Sequence, residues 1–338
     1  MKKRLITLML AGAMAFSLAA CGSKGTEDTA ADAAADTQTD ESNDASEPET
    51  VTITSLNGSG EETSLEVPYK PERVAILDMA ALDIIDSIGE GDSVVGSATT
   101  SIEYLQDYVT NDAISNLGTI KEADLEAVMA CGPEVIFIGG RLSSVYDDLS
   151  AIAPVVYLAT DTEKGLVESV RDNASTIASI FGKEDEADAL MAGFDERIAE
   201  LAAFAENKTA IVGMCTSGGF NILGSDGRCS IISNEIGFEN VGLDAEEATS
   251  THGNEASFEF VVEKNPEYIF VMDRDAAIGT EGAQLAQEIV ENELVQGTDA
   301  YKNGNIVYLG NPAVWYTAEG GINALDIMLQ DLEGPLLQ

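Results

Sequence analysis

The chain has 338 residues, 45% of them hydrophobic, with 60 acidic side chains against 17 lysines and arginines and a single histidine. The net charge of −43 excludes nucleic acid as a partner, because phosphate contacts need clustered Lys and Arg, and it opposes an electrostatic hold on an anionic membrane. Only seven arginines are present, so the place of each one is informative.

Residues 1–20 read as an export signal. Lys2, Lys3 and Arg4 form a positive start, and the apolar stretch that follows is too short to span a bilayer with any margin. It runs into Leu18-Ala19-Ala20-Cys21-Gly22, which resembles a bacterial lipobox and by that resemblance implies lipidation of Cys21. Residues 22–50 carry nine carboxylates against Lys24 and no aromatic residue. Such a stretch has too little apolar surface to offset its ordering entropy, so residues 21–50 are expected to form a disordered acidic tether.

The remaining ~290 residues suffice for one large or two medium domains. Alternating runs at 51–54 and 63–67 flank Asn57-Gly58-Ser59-Gly60, a hairpin signal. Residues 73–77 read as a buried strand. Asp78 opens a helix with Leu82, Ile85 and Ile88 on one face, and Val94-Val95-Gly96 is the next strand. Gly89-x-Gly91 mimics a nucleotide fingerprint but follows a helix and opens a strand, so it reads as a helix stop and turn. A helix at 123–129, a strand at 135–138 ending in Gly139-Gly140-Arg141, a helix at 146–153 and a strand at 155–157 continue the alternation. Short βαβ connections predict a mostly parallel sheet covered on both faces.

Residues 164–181 predict a helix with Leu166, Val170, Ile177 and Ile180 on one face and Gly182 at its end. At ~1.5 Å per residue it would run ~27 Å, long enough to bridge two lobes. Residues 185–206 predict a second helix with Leu190, Met191, Phe194, Ile198 and Leu201 as its stripe. The alternation then restarts. A strand at 209–214 and its partner at 220–224 precede Gly227-Arg228-Cys229 and a helix through Ile231 and Ile232. A turn holding His252 feeds a short helix with Phe258, Val261 and Val262 on one face, stopped by Asn265-Pro266, and a buried strand at 268–272 ends in Asp273-Arg274. A helix at 283–291, a strand at 306–309, an aromatic loop at 311–316 and a final helix at 320–332 complete the chain. The expected organisation is a signal at 1–20, a tether at 21–50, an α/β lobe at 51–163, a connecting helix at 164–182 and a second α/β lobe at 183–338.

Cys131, Cys215 and Cys229 show neither a CxxC nor zinc-ligand spacing. A Cys215–Cys229 disulfide and buried free thiols both fit. Open α/β sheets bind ligands beyond the carboxyl ends of their strands. Arg141 and Arg274 stand at such ends, and His252 lies in a loop able to reach the same crevice. These residues suit an anionic, metal-bearing small molecule.

The lipobox, the acidic tether and the paired α/β lobes joined by a helix resemble the class III substrate-binding lipoproteins of bacterial ABC importers. Over that fold, His252-Gly253, Ser257-Phe258-Glu259-Phe260, Glu263-Lys264-Asn265-Pro266-Glu267-Tyr268, Asp273-Arg274 and Val314-Trp315-Tyr316 are similar to the ferric-catecholate siderophore binders of petrobactin and enterobactin type. The resemblance implies that His252 and Tyr316 complete the coordination of Fe3+ in the transported siderophore, with no intrinsic cofactor. It also places Arg141, Arg228 and Arg274 against the ligand's negative charge and Glu126 and Glu259 at the permease. The partners implied are ABC permease and ATPase subunits and a membrane reached through a lipid, for a monomer on the outer face of the cell membrane.

The chemistry agrees. Ferric iron is a hard ion suited to catecholate and phenolate oxygens, and arginine forks suit an anionic aromatic guest. Haem, a corrinoid or a hydroxamate siderophore are alternative cargoes for the same receptor. An enzyme lacks support: no Gly-x-Ser-x-Gly elbow and no nucleotide loop are present, and one histidine is a poor start for a zinc or manganese site. A surface adhesin would need neither the arginines nor Tyr316.

Overall fold

The computed structural model describes residues 47–161, 163–225, 227–242, 253–255 and 257–337. The export signal, Cys21, nearly all of the tether and His252 lie outside these residues. Strands β1 (Thr50–Leu56) and β2 (Glu62–Pro68) form the antiparallel hairpin expected around Asn57, whose side chain accepts from the Ser59 and Glu61 amides.

Next come β3 (Val74–Leu77), β4 (Val94–Ser97), β5 (Ser115–Asn116), the small hairpin β6 (Gly118–Thr119) and β7 (Glu122–Ala123), β8 (Val135–Ile138) and β9 (Val155–Tyr157). Five of them make a wholly parallel sheet in the order β5-β4-β3-β8-β9. β3 and β8 are buried at every position, as central strands covered on both faces must be. The chain leaves β3 toward β4 and later returns to its other side as β8. The carboxyl ends of β3 and β8 are therefore the switch point where a crevice opens.

The second sheet is built from β10 (Thr209–Thr216), β11 (Gly219–Ile222), β12 (Glu239–Asn240), β13 (Asn254–Glu255), β14 (Tyr268–Asp273) and β15 (Ile306–Tyr308). It is mixed: β10, β14 and β15 are parallel, whereas β11 turns back antiparallel on β10 and carries β13 on its far edge. Along β14, Phe270 and Met272 join the main core while Ile269 and Val271 face a smaller one. Alternation over two covered faces is what makes this strand read as an unbroken apolar run. Its switch point lies between β10 and β14, at Thr216 and Arg274.

The connecting helix spans Leu166–Phe181, with Gly182 in the left-handed region at φ 66° to close it. Its start is capped from far along the chain: the Glu235 carboxylate accepts from the amides of Leu166 (2.5 Å) and Val167 (3.4 Å). The final helix, Ile322–Leu336, is tied similarly to the first sheet's layer. Asp83, on the helix Met79–Ser87, is fully buried and accepts from the amides of Asn323 and Ala324 at 2.9 Å and from the Tyr104 hydroxyl.

Three local expectations need correction. The single helix at 185–206 is two, Glu184–Met191 and Phe194–Ala205, because Ala192 is extended and Gly193 sits at φ 96°. The break re-phases the stripe and leaves Leu190 38% exposed. Val262 is likewise 38% exposed, so the buried face of the helix Phe258–Lys264 rests on Val261 instead. The aromatic loop at 311–316 is a helix, Pro312–Thr317, in which Pro312 occupies the first turn, where no amide is needed. Between the two alternatives at the cysteines, the structure has buried free thiols: Cys131, Cys215 and Cys229 are all free and buried.

Candidate functional site

The two switch points meet at Tyr316. Its helix is fixed from behind: the Trp315 indole donates to Asp331 Oδ2 at 2.9 Å, and Asn311 holds the same carboxylate through its amide (3.0 Å) and side chain (2.8 Å). Trp315 is fully buried, so the short helix has little freedom to turn.

Three guanidinium groups surround the Tyr316 ring. Arg228 lies 4.3 Å from the ring centre, Arg274 5.5 Å and Arg141 5.7 Å. Each arrives differently. Arg274 begins the turn after β14, and its Nη1 donates to Thr216 Oγ1, at the end of β10, at 3.1 Å. Its Nε donates to the Tyr316 hydroxyl at 3.0 Å. Arg228, on the segment before the helix Ile231–Asn234, donates to the Tyr316 carbonyl at 3.3 Å. Arg141 reaches over from the turn that follows β8 and is exposed.

Burial pushes the Tyr316 phenol up, but the Arg274 hydrogen bond and the nearby charges of Arg228, Arg274 and Lys121 more than reverse this, so its pKa lies below the ordinary tyrosine value. Arg228 is held below its usual value, chiefly by its own burial. Beside it Glu319 accepts from the Cys229 amide at 2.8 Å; desolvation, opposed by that bond and by Arg228, raises its carboxyl to about 7. A cavity of about 210 Å³ opens here, lined from the first sheet by Asp78, Gly139, Gly140 and Arg141 and from the second by Arg228, Tyr316 and Glu319.

The structure thus brings together Arg141, Arg228, Arg274 and Tyr316. His252 lies outside the described residues. Glu126 and Glu259 are exposed and stand apart from this cluster by sequence and element, each in the first turn of its own helix. Sequence reading missed Thr216, Lys121 and Glu319. Thr216 and Glu319 matter through partners 58 and 90 residues away, and no local pattern announces such pairs. Asp78 was legible only as a helix opener, which it is, accepting from Ala81 N at 3.0 Å.

Chemically, the site offers clustered cations and an acidified phenol at the mouth of a cleft in a strongly acidic protein. It can hold an anionic, oxygen-rich guest, and a phenolate oxygen is a good donor to a hard trivalent ion. A two-lobed α/β receptor with its site between the sheets is the class that this fold and cleft define.

The chain belongs to the periplasmic binding protein family, whose model matches residues 74–313. It is 31% identical to the petrobactin-binding protein YclQ of Bacillus subtilis over 337 residues, covering 99% of both chains. The crystal structure of that protein superposes with a TM-score of 0.78 at 32% identity, over 85% of this chain and 99% of the other. The catecholate-siderophore binding protein VctP of Vibrio cholerae gives 0.75 at 30% identity, over 84% of this chain and 100% of its own. These are substrate-binding proteins, not enzymes. The fold is the two-lobed α/β architecture with a connecting helix that the sequence resemblance implied.

Proposed function

We propose that this protein is the membrane-tethered receptor of an iron ABC importer, capturing a ferric catecholate siderophore between its lobes and handing it to the permease. The observation that carries this reading is the convergence of Arg141, Arg228 and Arg274 on Tyr316 at the joint mouth of two sheets. The arginines offset the ligand's negative charge, and Tyr316, with His252, fills iron positions that a four-coordinate siderophore leaves open. Cys21 carries the lipid, residues 21–50 act as the spacer, and residues 51–163 and 183–338 are the two lobes on either side of the connecting helix. Glu126 and Glu259, one on each lobe, meet basic residues of the permease. The receptor works as a monomer, and its iron arrives and leaves with the siderophore.

The test is a titration of the compact unit 47–338 with ferric bis-catecholate and tris-catecholate complexes, followed by fluorescence quenching and the visible charge-transfer band. Tight bis-catecholate binding with a band that shifts in Tyr316→Phe and His252→Ala supports direct ligation. Tight binding with an unmoved band removes both residues from the iron while keeping the receptor. No binding of either complex, with tight binding of haem or a corrinoid, overturns the catecholate assignment.

A further inference from the structure

Two helices from different lobes repeat one six-residue pattern. In the helix Leu125–Ala130 the cap is Asp124, which accepts from Ala127 N at 3.0 Å. In the helix Phe258–Lys264 the cap is Ser257, which accepts from Phe260 N at 3.3 Å. Two residues after each cap stands an exposed glutamate, Glu126 or Glu259, and four after it a buried valine, Val128 or Val261. Five after it comes an apolar side chain turned to solvent: Met129 is 65% exposed and Val262 38%.

Six large apolar side chains are exposed among the described residues, and two of them, Met129 and Val262, stand at the same register after a helix cap and beside a glutamate. Glutamate and apolar residue are three apart in each helix and share a face. Each helix leads into a strand that runs parallel to its sheet neighbours, β8 or β14, and so runs opposite to that strand. The first turns of both therefore lie at the carboxyl edges of the two sheets, the side on which Arg141 and Arg274 flank the cleft.

We propose that Met129 and Val262 are paired docking knobs, each entering an apolar hollow of the importer's permease beside a basic residue that meets Glu126 or Glu259. This rests on the receptor reading above and extends it from a charge contact to a two-part surface on each lobe. The occupant follows from the repeat. A partner engaging both patches must present two equivalent surfaces, each basic and apolar, as a pair of like permease subunits does. The acid supplies orientation and the desolvated apolar residue supplies most of the affinity, since contacts buried at the centre of an interface outweigh rim charges.

The experiment uses the permease–ATPase complex that restores iron uptake with this receptor, held in nanodiscs, and measures docking at equilibrium. Met129→Ser with Val262→Ser is expected to weaken docking about tenfold or more, while Met129→Leu docks as the wild type does. Siderophore titration in solution checks that the double variant is folded and loaded. If Glu126→Ala with Glu259→Ala weakens docking but the serine pair does not, the knobs are refuted and the charge contact stands. If neither pair of substitutions alters docking, the use of this face fails altogether.

Discussion

Replacing Arg274 with Met isolates the electrostatic core of the site at nearly constant volume. The change removes the 3.0 Å bond to the Tyr316 hydroxyl, the 3.1 Å bond to Thr216 and one of the charges that acidify the phenol. A hydrogen bond to a charged group is worth about 1.5–3 kcal/mol, so binding of a ferric bis-catecholate should weaken about 10- to 150-fold. With Arg274 gone the phenol pKa rises, so ionising Tyr316 to make it an iron ligand costs more. NMR of ring-labelled tyrosine in the free receptor should show the Tyr316 titration moved to higher pH in Arg274→Met, while calorimetry reads the affinity. Wild-type affinity with an unmoved Tyr316 titration would refute the claim that this arginine prepares Tyr316.

Two further outcomes follow from buried groups away from the cleft. Burial raises the Asp83 carboxyl from 3.8 to about 6, against the pull of the Tyr104, Asn323 and Ala324 donors. A folded-state pKa above the unfolded value favours the fold below that unfolded value, and the advantage fades as pH rises toward 6. Relative to Asp83→Asn, the wild type should therefore lose about 2 kcal/mol between pH 4 and pH 7, read by urea unfolding at both; parallel curves would sink this account. The free thiols should be inert to a thiol reagent until the unit 47–338 unfolds, since Cys215 is pushed up to about 12 and Cys229 well above its usual value. Fast labelling in the folded state would contradict their burial.

Much of the architecture was legible along the chain because its signals are local. Unbroken apolar runs marked β3, β8 and β14, and Asp78, Gly182 and Asn265 marked helix boundaries through preferences of their own backbone. Arg141 and Arg274 were placed near a crevice by the rule that ligands lie beyond strand carboxyl ends, and resemblance pointed to Arg228 and Tyr316. The sequence could not show that three guanidiniums share one ring, that Glu235 caps the connecting helix, or that Asp83 closes onto the final helix. The split at Gly193 and the helix at Pro312 were also hidden, since glycine and proline are compatible with either outcome until packing chooses. The sequence by itself determined most of the strands and helices, because periodicity and capping act over a few residues. Only the tertiary structure decided which distant side chains meet, because those pairings depend on how two separately wound sheets and the helix between them pack.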